Sequence, residues 1–141
     1  MSLNHLPCYC ATLRQATRVL TSIYDEQLRE VGLRVTQFTL LQALHFAPGS
    51  RITDLVDVLA MEQSTLTRTL AILQGNDWVQ VTDRPSGREK CWELTVHGQR
   101  VFEQAIVPWE RAQRFVEQRV GKRRMKEMHS DMFDLADRAM T

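Results

Sequence analysis

What this sequence lacks narrows its class before any motif is read. No apolar run approaches the roughly 20 residues that a helix needs to cross a bilayer, so no membrane contact is expected. The opening MSLNHLPCYC has neither the basic start nor the apolar run of a secretory signal. Cysteine is scarce: three residues make neither an even disulfide framework nor a paired CxxC zinc pattern. These absences point to the cytoplasm, where thiols stay mostly reduced. Enzyme signatures are missing too. There is no nucleophile elbow, phosphate-binding loop, HExxH or dinucleotide-binding glycine pattern, and four scattered histidines form no evident acid–base pair. Neither catalysis nor a cofactor is expected. Charge of one sign is also absent, because 18 Lys and Arg against 17 Asp and Glu leave a formal net charge of +1. Composition therefore does not announce nucleic acid, although a DNA binder that gathers its cations on one face can hide in a neutral total. No internal repeat or low-complexity linker divides the chain, and 141 residues suffice for one domain with a real core.

What is present is helical periodicity broken by turn residues. Pro7 suits the first turn of a long helix to about Val31. Leu13, Ala16, Leu20, Ile23, Gln27 and Val31 form its stripe, Thr17, Tyr24 and Leu28 widen it, and Gly32 is its stop. A second helix runs from about Val35 to Phe46 with Phe38, Leu41, Ala43 and Leu44 apolar, and Pro48-Gly49 then turns the chain. Arg51-Ile52 suits a short strand. Thr53 is the expected N-cap of a helix to Ala60 that buries Leu55, Val56 and Leu59. Met61 to Gln63 turns a corner; with Glu62 as N-cap, Met61 meets Leu66 in a hydrophobic staple. Gly75-Asn76 closes the helix that follows.

Trp78, Val79 and Val81 start a strand whose return partner is Cys91 to Leu94, and the link between them, with Pro85, Ser86 and Gly87, turns and projects. Thr95 caps a helix to about Val120, with Val101, Ala105, Trp109, Ala112 and Val116 on one side and a kink at Pro108. After Gly121 a last helix to about Met140 sets Met125, Met128, Met132, Leu135 and Ala139 in a heptad-like seam. The basic run Lys122, Arg123, Arg124 and Lys126 reads as a solvated face.

The stretch from Ser64 to Leu73 carries a conflict. Leu66, Leu70 and Leu73 make an amphipathic stripe, yet Ser64, Thr65, Thr67 and Thr69 are poor helix formers. Short hydroxyls around Arg68 suit a surface that lies against phosphates and base edges. On this reading Ser64, Thr65 and Arg68 face a major groove, Arg68 makes a bidentate contact to guanine, and Thr67 reaches a phosphate. Arg84, Arg88 and Lys90 lie in the projecting hairpin, with Arg88 the residue to enter a minor groove. Thr36 and Gln37, at a helix N-terminus, are placed to hold a phosphate.

These residues resemble the MarR family of bacterial winged-helix transcriptional regulators over essentially the whole chain. Gly32-Leu33, Gln37-Phe38, Met61 and Ser64-Thr65-Leu66-Thr67-Arg68 match, followed by Asp83-Arg84, Arg88, Leu94-Thr95 and Gly98. The family's wing usually carries an aspartate two residues before the arginine matched by Arg88; Ser86 stands there. The resemblance implies a mostly α (α+β) fold: a winged helix-turn-helix with a two-stranded wing and N- and C-terminal dimerisation helices. Residues 1–141 would be one protomer, with dimerisation through about 1–31 and 99–141 and DNA binding through about 33–98. It implies a homodimeric repressor on a pseudo-palindromic site in double-stranded DNA, released by a small-molecule or oxidant signal. The competing reading of the same residues is a winged-helix protein-interaction module without specific DNA binding.

The signal is sought at the other end. The stretch CYCATLRQATRVLTSIY resembles the organic-hydroperoxide-sensing branch of the family, in which an early cysteine is paired with a tyrosine fourteen residues later, here Cys10 and Tyr24. Val35 and Phe38 stand where that branch carries further tyrosines. In helical geometry Cys8 and Cys10 do not face each other, so a disulfide between them is not expected; the bland alternative is two small, partly buried side chains. Many members of the family instead bind small aromatic acids in a cleft, for which His45, Trp109 and Arg14 are candidates. His5, Cys8 and Cys10 have metal-like types but no clear fourth ligand, so no metal site is expected.

Overall fold

Residues 5–82 and 89–140 are described in the computed structural model. Their order is α1 (Tyr9–Leu28), a 3-10 turn (Arg29–Val31), α2 (Val35–Phe46), β1 (Ser50–Arg51), α3 (Ile52–Leu59) and α4 (Gln63–Gly75). Then come β2 (Val79–Thr82), β3 (Cys91–Leu94), α5 (Val96–Val120) and α6 (Lys122–Met140). The expected winged helix-turn-helix is formed by α3, the corner, α4 and the β2–β3 hairpin. The sheet gains a third strand, in antiparallel order β1-β3-β2, with Arg51 opposite Cys91 and Val81 opposite Trp92.

Several boundaries move for local reasons. Helix α1 starts at Tyr9 rather than Pro7, because the Cys8 thiol takes the N-cap and accepts the Ala11 N–H at 3.5 Å. β1 is Ser50–Arg51 rather than Arg51-Ile52, and α3 begins at Ile52. Its N-cap is Arg51 and not Thr53: the Asp54 carboxylate reaches back three residues and accepts the Arg51 N–H at 3.0 Å. Glu62 is the N-cap of α4, as the staple requires, and Met61 packs on the core. Two chain reversals share one device. After α1, Gly32 adopts φ +72, the Gly32 N–H bonds Arg29 O at 3.0 Å and the Leu33 N–H bonds Leu28 O at 3.2 Å. Helix α4 closes at Gly75-Asn76 as expected, and the left-handed residue after it is Asp77 (φ +61), with Asp77 N–H to Gln74 O and Trp78 N–H to Leu73 O, both 3.0 Å. Both are Schellman caps that satisfy the last helical carbonyls.

The core lies where α2, α4, the sheet and the first half of α5 meet. Leu66, Leu70 and Leu73 are all buried, as are Phe38, Leu41 and Leu44 of α2 and Val101 and Phe102 of α5. Phe38 sits between Phe102 and Trp109, with ring centroids 5.5 Å and 5.7 Å away. A polar node pins α5 to the end of α4. The Thr95 hydroxyl accepts the Gly98 N–H at 2.9 Å, capping α5, and donates to Asp77 O at 2.6 Å. Thr95→Ala removes both bonds and should cost about 1–2 kcal/mol. A urea midpoint equal to wild type would contradict that role.

Pro108 does not divide α5, which runs unbroken from Val96 to Val120 with Pro108 buried. Helix α6 has no buried residue. Of its seam only Met125 is half-covered, while Met128, Met132 and Leu135 are 42%, 38% and 51% exposed. Among the described residues no helix is long and apolar enough to cross a membrane.

Candidate nucleic-acid interface

The buried leucines of α4 fix what the opposite side presents. At 100° per residue, Ser64, Arg68, Ala71 and Gly75 lie opposite the centre of the leucine stripe, with Thr67 beside them. Ser64, Thr67, Arg68 and Ala71 are all exposed. Arg68 is the only charged residue in α4, and among the described residues no carboxylate pairs with it. Thr65 is half-buried rather than outermost. Its hydroxyl accepts from Arg68 Nη2 at 3.5 Å. Thr69 turns its hydroxyl onto Thr65 O at 3.0 Å, which is how a β-branched residue is accommodated mid-helix. Ile72 is an addition to the expected surface: an apolar side chain 55% exposed on the Thr65 side of α4. Its position off the leucine stripe was the available signal.

The hairpin follows α4 directly, and β2 packs against that helix. Lys90 is exposed just before β3, and Gln80 Nε2 donates to Glu93 Oε1 across the strands at 2.9 Å. Asp83, Arg84, Pro85, Ser86, Gly87 and Arg88 lie outside the described residues. The start of α2 carries two side-chain caps. Gln37 turns back and its Oε1 accepts the Arg34 N–H at 3.0 Å, while Asp25 Oδ1 accepts the Val35 N–H at 2.7 Å. Thr36 is exposed in the first turn, beside these two bonds. A charged cluster that sequence reading missed joins Arg51, Asp54 and Glu89. Asp54 lies three residues from Arg51 and was visible as a local pair, but Glu89 is brought there only by the sheet.

At the far end, Cys8 and Cys10 are exposed free thiols rather than partly buried. Fourteen residues along a helix span about 21 Å, so Cys10 and Tyr24 do not meet within one chain. Tyr24 instead donates its phenol hydrogen to Gln113 Oε1. Burial first, and the Glu117 carboxylate second, push its pKa above the ordinary value, so the phenol stays a neutral donor. Around it is a cleft of about 370 Å³ between α1, α5 and α6, lined by Leu20, Tyr24, Val116, Met125, His129 and Met132 among others. His45, Trp109 and Arg14 do not line it. His45 stacks on Phe102 at 4.6 Å and shares a hydrogen bond with Gln99 at 3.1 Å, and Trp109 stacks on Phe38.

Residues 33–88, the span from the end of the first reversal through α4 to the hairpin, match the family model described as MarR family. An HTH-type transcriptional regulator of Bacillus subtilis (strain 168), YwoH, is 30% identical over 95 residues, covering 67% of this chain and 69% of that protein. The chain belongs to the MarR family. Its members are transcriptional regulators and not enzymes. The regulator MosR of M. tuberculosis, solved in complex with DNA, superposes with a TM-score of 0.81 at 30% identity, covering 95% of this chain and 99% of that one. The repressor CouR, bound to a 23-mer duplex, has a TM-score of 0.84 at 20% identity, covering 96% and 99%; at that identity it speaks for the MarR-type fold alone.

Proposed function

We propose that this protein is a sequence-specific DNA-binding regulator that works as a homodimeric repressor and leaves a pseudo-palindromic operator when it receives a chemical signal. One observation carries the DNA reading: α4 turns three leucines fully inward and presents Ser64, Thr67 and an Arg68 that no carboxylate pairs with among the described residues. In a major groove Arg68 supplies the two-pronged donor that suits guanine, Ser64 and Thr67 reach phosphate or base edges, and Ile72 suits a thymine methyl. Arg84, Arg88 and Lys90 act from the wing. The MosR complex with DNA supports the same reading.

Dimerisation is supported by α6. Its Met128, Met132 and Leu135 face solvent in a single chain, and a contiguous apolar helix face of this kind is where a second copy packs. Two winged units then read half-sites about one helical turn apart. Pairing Met128→Glu with Met132→Glu should yield monomers in sedimentation and weaken operator binding by more than about a hundredfold, since each half alone keeps only its own contacts. A variant that stays dimeric, or binds as well when monomeric, contradicts this assembly.

For the signal, the cleft around Tyr24 supports a small, largely apolar ligand, and the exposed Cys10 thiol supports a hydroperoxide, which would convert it to a sulfenic acid and release the alcohol. Cys10→Ser distinguishes them. Peroxide should no longer release that variant from DNA if the thiol is the trigger; unchanged release assigns the signal elsewhere.

A further inference from the structure

The attachment of the hairpin to the rest of the winged unit carries charges that the base-reading surface does not use. Glu89 leads into β3, and its Oε2 lies 3.7 Å from Arg51 Nε and 3.4 Å from Thr53 Oγ1. Arg51 is held from two further directions. It pairs with Cys91 in the β1–β3 register, and its guanidinium grips Asp54 through Nε to Oδ2 at 3.1 Å and Nη2 to Oδ1 at 3.0 Å. One arginine therefore joins the edge strand, the first turn of α3 and the loop-side entry to the hairpin's return strand. β1 has only two residues, so its pairing gives this corner little rigidity of its own. All three side chains are substantially exposed, and pairs of that kind add little to global stability. What such a link sets is direction: it decides how a two-strand hairpin leans relative to α3 and α4.

We propose that Arg51, Asp54 and Glu89 form an ionic brace that sets the stance of the β2–β3 hairpin and so determines how the wing meets DNA. This rests on the DNA-binding reading above, and the three are positioning residues that touch no base. The brace has a signature of sign. A carboxylate near phosphates ordinarily weakens binding, so an idle Glu89 would give tighter binding when neutralised. A bracing Glu89 gives the opposite result.

The test is a mobility-shift titration at fixed salt with the sequence that wild type selects, using wild type, Glu89→Gln, Arg51→Gln and the double variant. Glu89→Gln should bind about two- to fivefold more weakly in the wild-type background, the scale of one exposed ion pair. In the Arg51→Gln background the same change should cost nothing. Thermal midpoints should be unchanged, and hydroxyl-radical protection should fade at the flanking minor grooves while major-groove protection persists. Equal or tighter binding by Glu89→Gln, or the same loss in both backgrounds, overturns the brace. Wild type that selects no sequence overturns the DNA reading itself, and the brace's function with it.

Discussion

Gly98→Ala is expected to destabilise the protein by about 3 kcal/mol, the upper end of the overpacking range, and to lower its melting temperature by about 10 °C. A β-carbon built on Gly98 lies 1.8 Å from Trp78 O, 2.7 Å from Trp78 C and 3.0 Å from Trp78 Cα. Those are backbone atoms, so no rotamer change relieves the clash. Trp78 is also fixed on both sides. Its N–H closes the Schellman cap of α4 on Leu73 O, and its carbonyl accepts the Thr95 N–H at 3.0 Å. Moving it disturbs α4, β2 and the first turn of α5 together. Gly75→Ala is the control: it sits at the end of α4 with nothing within 4 Å of its β-carbon, and should be neutral or stabilising by up to about 1 kcal/mol. Urea titrations at one protomer concentration measure both. A Gly98→Ala midpoint equal to wild type would mean that α5 does not rest on Trp78 in this way.

Arg68→Ala should weaken binding to the selected operator by roughly ten- to a hundredfold, as loss of a bidentate base contact does, with the oligomeric state and melting temperature unchanged. Arg68 is exposed, and among the described residues its side chain hydrogen-bonds only to Thr65. Arg68→Lys should recover little, because an ammonium lacks the two-pronged geometry. Sequence preference should relax at one base position per half-site. A loss that is uniform over all sequences, with the salt dependence reduced by about one charge, would assign Arg68 to a phosphate instead.

Much of this architecture was legible because its signals are local. The Leu66/Leu70/Leu73 stripe, the Thr95 cap and the Pro48-Gly49 turn each act within a few residues, and α2 and β3 fall where their apolar patterns place them. The misplacements have equally local causes. Asp54 caps Arg51 from three residues downstream and displaces Thr53, and the Cys8 thiol takes the N-cap of α1, so that helix starts at Tyr9 rather than Pro7. What sequence could not supply is contact between distant segments. Asp25 reaches the start of α2 from the preceding helix, and Glu89 reaches Arg51 only because β1 and β3 pair. The proposed DNA-facing surface was readable as residue types on a helix, because poor helix formers stand out against an amphipathic leucine stripe. The surroundings of Tyr24 were less readable, since they depend on α1, α5 and α6 together.

Selection of bound duplexes from a random-sequence library, followed by sequencing, tests the regulator directly. Enrichment of an inverted repeat whose half-sites lie about one helical turn apart is the expected result. A library that emerges without any enriched sequence would contradict it, and would leave the winged unit as a protein-interaction module.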